Sequence, residues 1–194
     1  KRAASQTFVG APTPLTVSPT ILGTDPQNES MTFPSRSDMS TSTRQLVPVI
    51  AIALLIKAIW LIADPTLRVY MGDSMVYLQS AALLTGSGGR SFLYGWVLHF
   101  VALPFGPPVS IIVVQAIWSV LSCLALYVFL RYALGLRYWV AAVPAWLLAT
   151  EPAQVFMERM VMAETLGLLA FATTVLVFAR YLATGKLGWY LLAC

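Results

Sequence analysis

Charge is what this sequence has least of. Only 10% of its 194 residues are Asp, Glu, Lys or Arg, where a soluble domain carries about 25%. So few charges cannot cover a surface in water. With 58% of the chain hydrophobic, lipid has to be the solvent for much of it. Histidine is nearly absent, with His99 alone, and the cysteines are two, Cys123 and Cys194. They form no CxxC pair, which argues against a disulfide framework or a zinc site and leaves them as small apolar packing residues. A metal centre would therefore have to draw on carboxylates. The net charge is +4, but the basic residues stand singly at the ends of apolar runs, as membrane proteins use them. That pattern excludes nucleic acid as the expected partner.

What is present falls into two parts. Residues 1–43 are rich in Ser, Thr and Pro. They hold too few large apolar side chains to offset the entropy of ordering, so a disordered cytoplasmic tail is expected. Residues 44–194 read as the N-terminal part of a polytopic, all-α membrane domain. A bilayer core of about 30 Å takes about 20 apolar helical residues, and spans are expected at 46–63, 109–130, 138–156 and 160–182. Another begins at 187 and stops at Cys194, and the chain opens on Lys1; it is expected to be a fragment of a larger protein. Lys57 is the one charge in the first span, free to snorkel to an interface or to pair with an acid of a neighbouring helix. The outer loop, 64–108, is expected to hold in-plane helices. One starts at Ser74, with Met75, Leu78, Ala81 and Ala82 at helical spacing. The other, 92–105, is about 21 Å long, too short to cross comfortably. Pro144 and Pro152 mark kinks or boundaries in 138–156.

The positive charges set the orientation. With 92–105 kept from crossing, Arg44, Arg131, Arg137, Arg180 and Lys186 face the cytoplasm. All five acids after residue 63 (Asp64, Asp73, Glu151, Glu158 and Glu164) then lie outside with Arg68, Arg90 and Arg159. A carboxylate and arginine cluster at an interface suits transfer of a sugar from a polyprenyl-phosphate donor. The lipid lies in the bilayer and its phosphate at the surface. An arginine, Arg90 or Arg159, neutralises the departing phosphate, and a carboxylate takes the proton of the attacking hydroxyl. One base and no covalent sugar intermediate invert the anomeric centre.

Several stretches in serial order carry a family likeness. They are Tyr70-Met71-Gly72-Asp73-Ser74-Met75-Val76-Tyr77, Gly89-Arg90-Ser91-Phe92-Leu93-Tyr94-Gly95-Trp96 before the short apolar helix, Gln115-Ala116-Ile117-Trp118, and Phe156 to Leu166 around Glu158-Arg159 and Glu164. In this order the chain resembles the GT-C superfamily of membrane glycosyltransferases, which includes the protein O-mannosyltransferases and the aminoarabinose lipid A transferases. The resemblance covers residues 45 to 194. It implies that Asp73 is the catalytic base in the first outer loop and Glu164 the acid at the outer end of a later span. It further implies a bacterial plasma-membrane enzyme with its site facing outward, a lipid-linked sugar donor, and an acceptor glycan, lipid or protein. Many members carry Asp-Glu where this chain has Asp73-Ser74, and all are longer, so a fragment of this size is not expected to catalyse alone.

Each candidate also has a plainer reading. Asp73 suits a helix N-cap, Glu164 the start of a helix dipole, and Arg90 and Arg159 interfacial anchoring. Glu158 reads as a solvated loop acid, or else as a contact for an acceptor or a divalent ion. His99 reads as a satisfied helix residue. A non-catalytic membrane protein, a transporter or an assembly subunit, is the alternative function, and it would place ionisable groups or broken helices at mid-membrane.

Overall fold

The computed structural model describes residues 39–86, 92–106 and 108–193, with side chains from Arg44 onward. Residues 1–38 of the tail and Arg90 lie outside the described residues. Within them the fold is helical, with one isolated bridge and no strand. The helices are α1 (Met39–Ala63), α2 (Asp73–Leu83), α3 (Phe92–Phe105), α4 (Val109–Ala133), α5 (Tyr138–Thr150), α6 (Pro152–Met157), α7 (Glu164–Thr184) and α8 (Leu187–Ala193). Three of them are long and apolar enough to cross a membrane: α1 from Arg44, α4 and α7. At 1.5 Å per residue, α4 is about 37 Å long.

α4 is the centre, with α1, α5 and α7 packed on it. α1 runs antiparallel to α4, because Arg131 Nε near the end of α4 donates to Gln45 Oε1 near the start of α1, at 3.3 Å. α7 runs parallel to α4, joined near both starts by Thr165 Oγ1 to Gln115 Oε1, at 3.3 Å. Between them the chain returns along α5 and α6. The expected 138–156 segment is therefore two helices, parted at Glu151. Pro152 disfavours helical dihedrals in the residue before it, and Glu151 is extended (φ −59°, ψ 121°), its carboxylate capping α6 by accepting from Gln154 N at 2.5 Å.

Small residues decide how closely these helices approach. Ala141, Ala145 and Ala149 recur every four residues on α5 and are fully buried. They face a stripe of the same period on α1, Val49 and Ala53, with Val120, Cys123 and Tyr127 of α4 completing the cluster. Close backbone approach over small side chains is how helices associate in lipid, where burial itself drives little. The large side chains go outward: Leu55, Ile62, Leu147 and Phe171 are exposed.

A second cluster sits at one end. It joins Tyr77 and Ala81 of α2, Tyr94, Leu98 and Ala102 of α3, Ile111 and Trp118 of α4, and Val161. α2 buries Ser74, Tyr77, Ser80 and Ala81, with Leu78 packed alongside, and leaves Met75 exposed. The reason is a tight crossing with α3, where a Cβ built on Gly95 would lie 2.5 Å from Ser80 Oγ and 3.1 Å from Ala81 N. Only small residues fit that contact, and Met75 is left for the surface. Toward its end α3 widens into a π turn, and His99 Nδ1 bonds the Ala81 carbonyl oxygen at 2.7 Å. That is the satisfied helix residue expected of it.

Candidate functional site

The end of the molecule that holds α2 and α3 also holds the carboxylates. Asp73 is the first residue of α2, and the cap position before it belongs to Gly72. Gly72 has φ 114°, a conformation L side chains rarely adopt, so the glycine of the Met71-Gly72-Asp73 run sets the direction in which α2 starts. Ser74 Oγ accepts from Tyr70 N at 2.9 Å and holds the turn closed. Asp73 thus sits beyond the capping position, half-buried, one turn before Tyr77.

Tyr77 meets Tyr94 edge-on at 4.8 Å, and Tyr94 in turn meets Trp118 at 6.1 Å. Burial pushes the Tyr94 phenol above its usual range, and the Glu164 charge pushes it further. Ala163 and Leu166, on either side of Glu164, pack against this aromatic cluster. Glu164 itself is exposed and begins α7, where a negative charge is favoured by the helix dipole. Asp73 and Glu164 both start helices around one cluster, although 90 residues separate them in sequence.

Between them runs the segment Glu158–Val161, fastened residue by residue. Lys57 Nζ donates to Glu158 Oε1 at 2.6 Å, with the two side chains 4% and 0% exposed. This corrects the solvated loop-acid reading of Glu158: the ammonium of a span residue has drawn it inside. It also resolves the alternatives for Lys57, which pairs rather than snorkels. Arg159 is equally buried, and its Nε donates to Asp64 O at 2.7 Å. Burial lowers its affinity for the proton, while the charges of Glu158 and Asp64 act the other way. Arg68 N donates to Arg159 O at 2.6 Å, and Val161 N to Arg68 O at 3.4 Å, the one parallel bridge described. Gln115 Nε2 of α4 donates to Met160 O at 2.7 Å. These bonds satisfy the backbone of 159–161 without helix, which is why α7 begins at Glu164 rather than at 160.

Three buried polar atoms here have no hydrogen-bond partner among the described residues: the Tyr94 hydroxyl, Glu158 Oε2 and Arg159 Nη1. On the surface above, Arg68 pairs with Asp64 at 2.7 Å and lies over the Phe156 ring. The Thr66 hydroxyl, and then Arg68, hold the Asp64 carboxyl below the usual aspartate range. No three His, Cys, Asp or Glu side chains gather as a metal-ligating group among the described residues.

Of the residues singled out in the sequence, Asp73, Glu164, Glu158 and Arg159 lie at one end of the fold. Sequence reasoning allowed an acid as the partner of Lys57 without naming it; what it missed is that the acid is Glu158, that Gln115 ties Met160, and that Tyr94 is the hub. The only signal in the sequence for the pair is that a lone cation and an acid lie in or beside apolar runs. Compared with protein-family models, curated proteins and solved structures, the chain matches none of them.

Proposed function

We propose that the chain is part of a polytopic membrane glycosyltransferase that moves a sugar from a polyprenyl-phosphate donor to an acceptor hydroxyl outside the cytoplasm. The observation that carries this reading is that the helices beginning at Asp73 and at Glu164 both pack on the Tyr77–Tyr94–Trp118 cluster, through Tyr77 of α2 and through Ala163 and Leu166 beside Glu164. In the reaction, Asp73 takes the proton of the acceptor hydroxyl. The freed oxygen attacks the anomeric carbon, the bond from that carbon to the phosphate oxygen breaks, and polyprenyl phosphate leaves with the electron pair. Attack opposite the leaving group inverts the centre. Arg159, buried beside the site, and Arg90 supply positive potential toward the phosphate. Glu164 orients the acceptor. Glu158 serves the site from beneath, through Lys57, in preference to touching acceptor or metal.

The test is sugar transfer by the full-length parent protein in membranes, from a synthetic polyprenyl-phosphate sugar. Asp73→Asn, at normal expression, is expected to lower transfer about 100-fold or more; unchanged transfer removes Asp73 as the base. The second reading, a transporter or assembly subunit, draws on the buried Lys57–Glu158 pair and the break between α5 and α6. Absence of transfer by wild type with every common donor would favour it.

A further inference from the structure

Four consecutive residues, Glu158 to Val161, are tied to three parts of the fold: Glu158 to α1, Met160 to α4, and Arg159 and Val161 to the 64–68 connection. Three of these ties are hydrogen bonds involving main-chain atoms. The fourth, Lys57 to Glu158, is side chain to side chain, charged and buried. It stands at the point where α6 ends and the segment begins. Just beyond the segment comes Glu164, and the 64–68 connection that the segment pairs with leads to Asp73. The pair is expensive to keep, since two charges leave water for one contact, and an apolar pair of similar volume would often hold a fold as well. A neutral core needs no lysine there, whereas a short, directional contact to one carboxylate oxygen fixes a register.

We propose that Lys57 is a positioning residue. Through Glu158 it pins the Glu158–Val161 segment, and so fixes where the start of α7, with Glu164, stands relative to α2, with Asp73. The inference rests on the reading of those two carboxylates as the working pair, but its first test does not depend on any reaction.

That test is the distance between spin labels on the full chain in lipid nanodiscs, with Cys123→Ala and Cys194→Ala as background. One label pair, Met75→Cys and Ala170→Cys, reports α2 against α7. A control pair, Val47→Cys and Leu134→Cys, reports α1 against the end of α4. All four positions are exposed. Lys57→Met alone leaves Glu158 buried without its cation and can fail to fold, so the deciding variant is Lys57→Met with Glu158→Leu, which removes both charges of the pair and keeps Arg159 with its bond to Asp64 O. In that variant the control distance is expected to stay as in wild type, while the α2–α7 distance shifts or broadens by more than its wild-type width. Lys57→Arg with Glu158 intact, which keeps the charge and a donor to the carboxylate, is expected to retain the narrow distance. An α2–α7 distance unchanged in the apolar variant overturns the proposal, and so does a control distance that changes as much. Where transfer is measurable, the apolar variant is expected to lose about 100-fold in kcat with KM little changed, the mark of misplaced groups. An unaltered kcat also overturns the proposal. If wild type transfers no sugar, the distances still decide on Lys57 and only the reaction is lost.

Discussion

A lysine inside an apolar helix keeps its charge either by reaching water or by finding a carboxylate, and Lys57 finds Glu158, 101 residues away in sequence. Removing either partner strands the other in the interior, and about 3–5 kcal/mol of stability should go with it. Thermal unfolding of Lys57→Met and Glu158→Gln in detergent measures this, and a loss well under 1 kcal/mol would mean that the survivor has reached water. Asp64 gives the opposite case, a surface carboxylate with a lowered pKa. Because its folded value lies below the unfolded value of about 3.9, its contribution is complete above that pH and disappears as pH falls through the folded value. Thr66 N donates to Asp64 Oδ1, so the Thr66 amide should lose protection from hydrogen exchange as the pH falls through that lowered folded value. Asp64→Asn should remove that dependence, and a pH profile common to both proteins would rule out Asp64 as its source.

Among elements, the crossing of α2 and α3 is the tightest contact that sequence pattern concealed. Apolar spacing placed a helix from Ser74, and α2 occupies Asp73–Leu83; of the spaced residues Ala81 is buried and Leu78 packs on the core while Met75 is exposed, and Ser74 and Ser80 join the buried side. Spacing counts hydrophobic side chains, whereas this interface is built on smallness, Gly95 against Ser80 and Ala81. Gly95→Ala should cost about 1–3 kcal/mol by overpacking, and Ser80→Gly added to it should recover part of the loss. A neutral Gly95→Ala in thermal unfolding would show that α3 can slide. The same principle explains α5, where three alanines at four-residue spacing carry the packing and Pro152 ends the helix before the return is complete.

At the scale of the molecule, ends and charges agree. Gln45, Arg131 and the close of α7 share one end; Asp64, Asp73, Glu158 and Glu164 share the other. With positive charge retained in the cytoplasm, a single cysteine at Met71, which is 90% exposed, should react with an impermeant thiol reagent added to intact cells. A cysteine at Leu134 should react only after lysis, in each case on a background free of Cys123 and Cys194. The reverse pattern would invert the orientation and put the candidate site in the cytoplasm.

Composition and run length by themselves determined that the chain is helical and suited to lipid, because a bilayer sets helix length and apolar content and both are properties of single segments. The apolar runs marked α1, α4 and α7 to within a few residues, and charge order along the chain was enough to gather Asp73, Glu158, Arg159 and Glu164 at one end. Only the tertiary structure decided which face each helix hides, where α7 starts, and that Lys57 belongs to Glu158. Those outcomes depend on contacts between residues far apart in the chain. There, the fit of a glycine under a serine, or the need of one buried charge for another, outweighs any preference that a local stretch of sequence expresses.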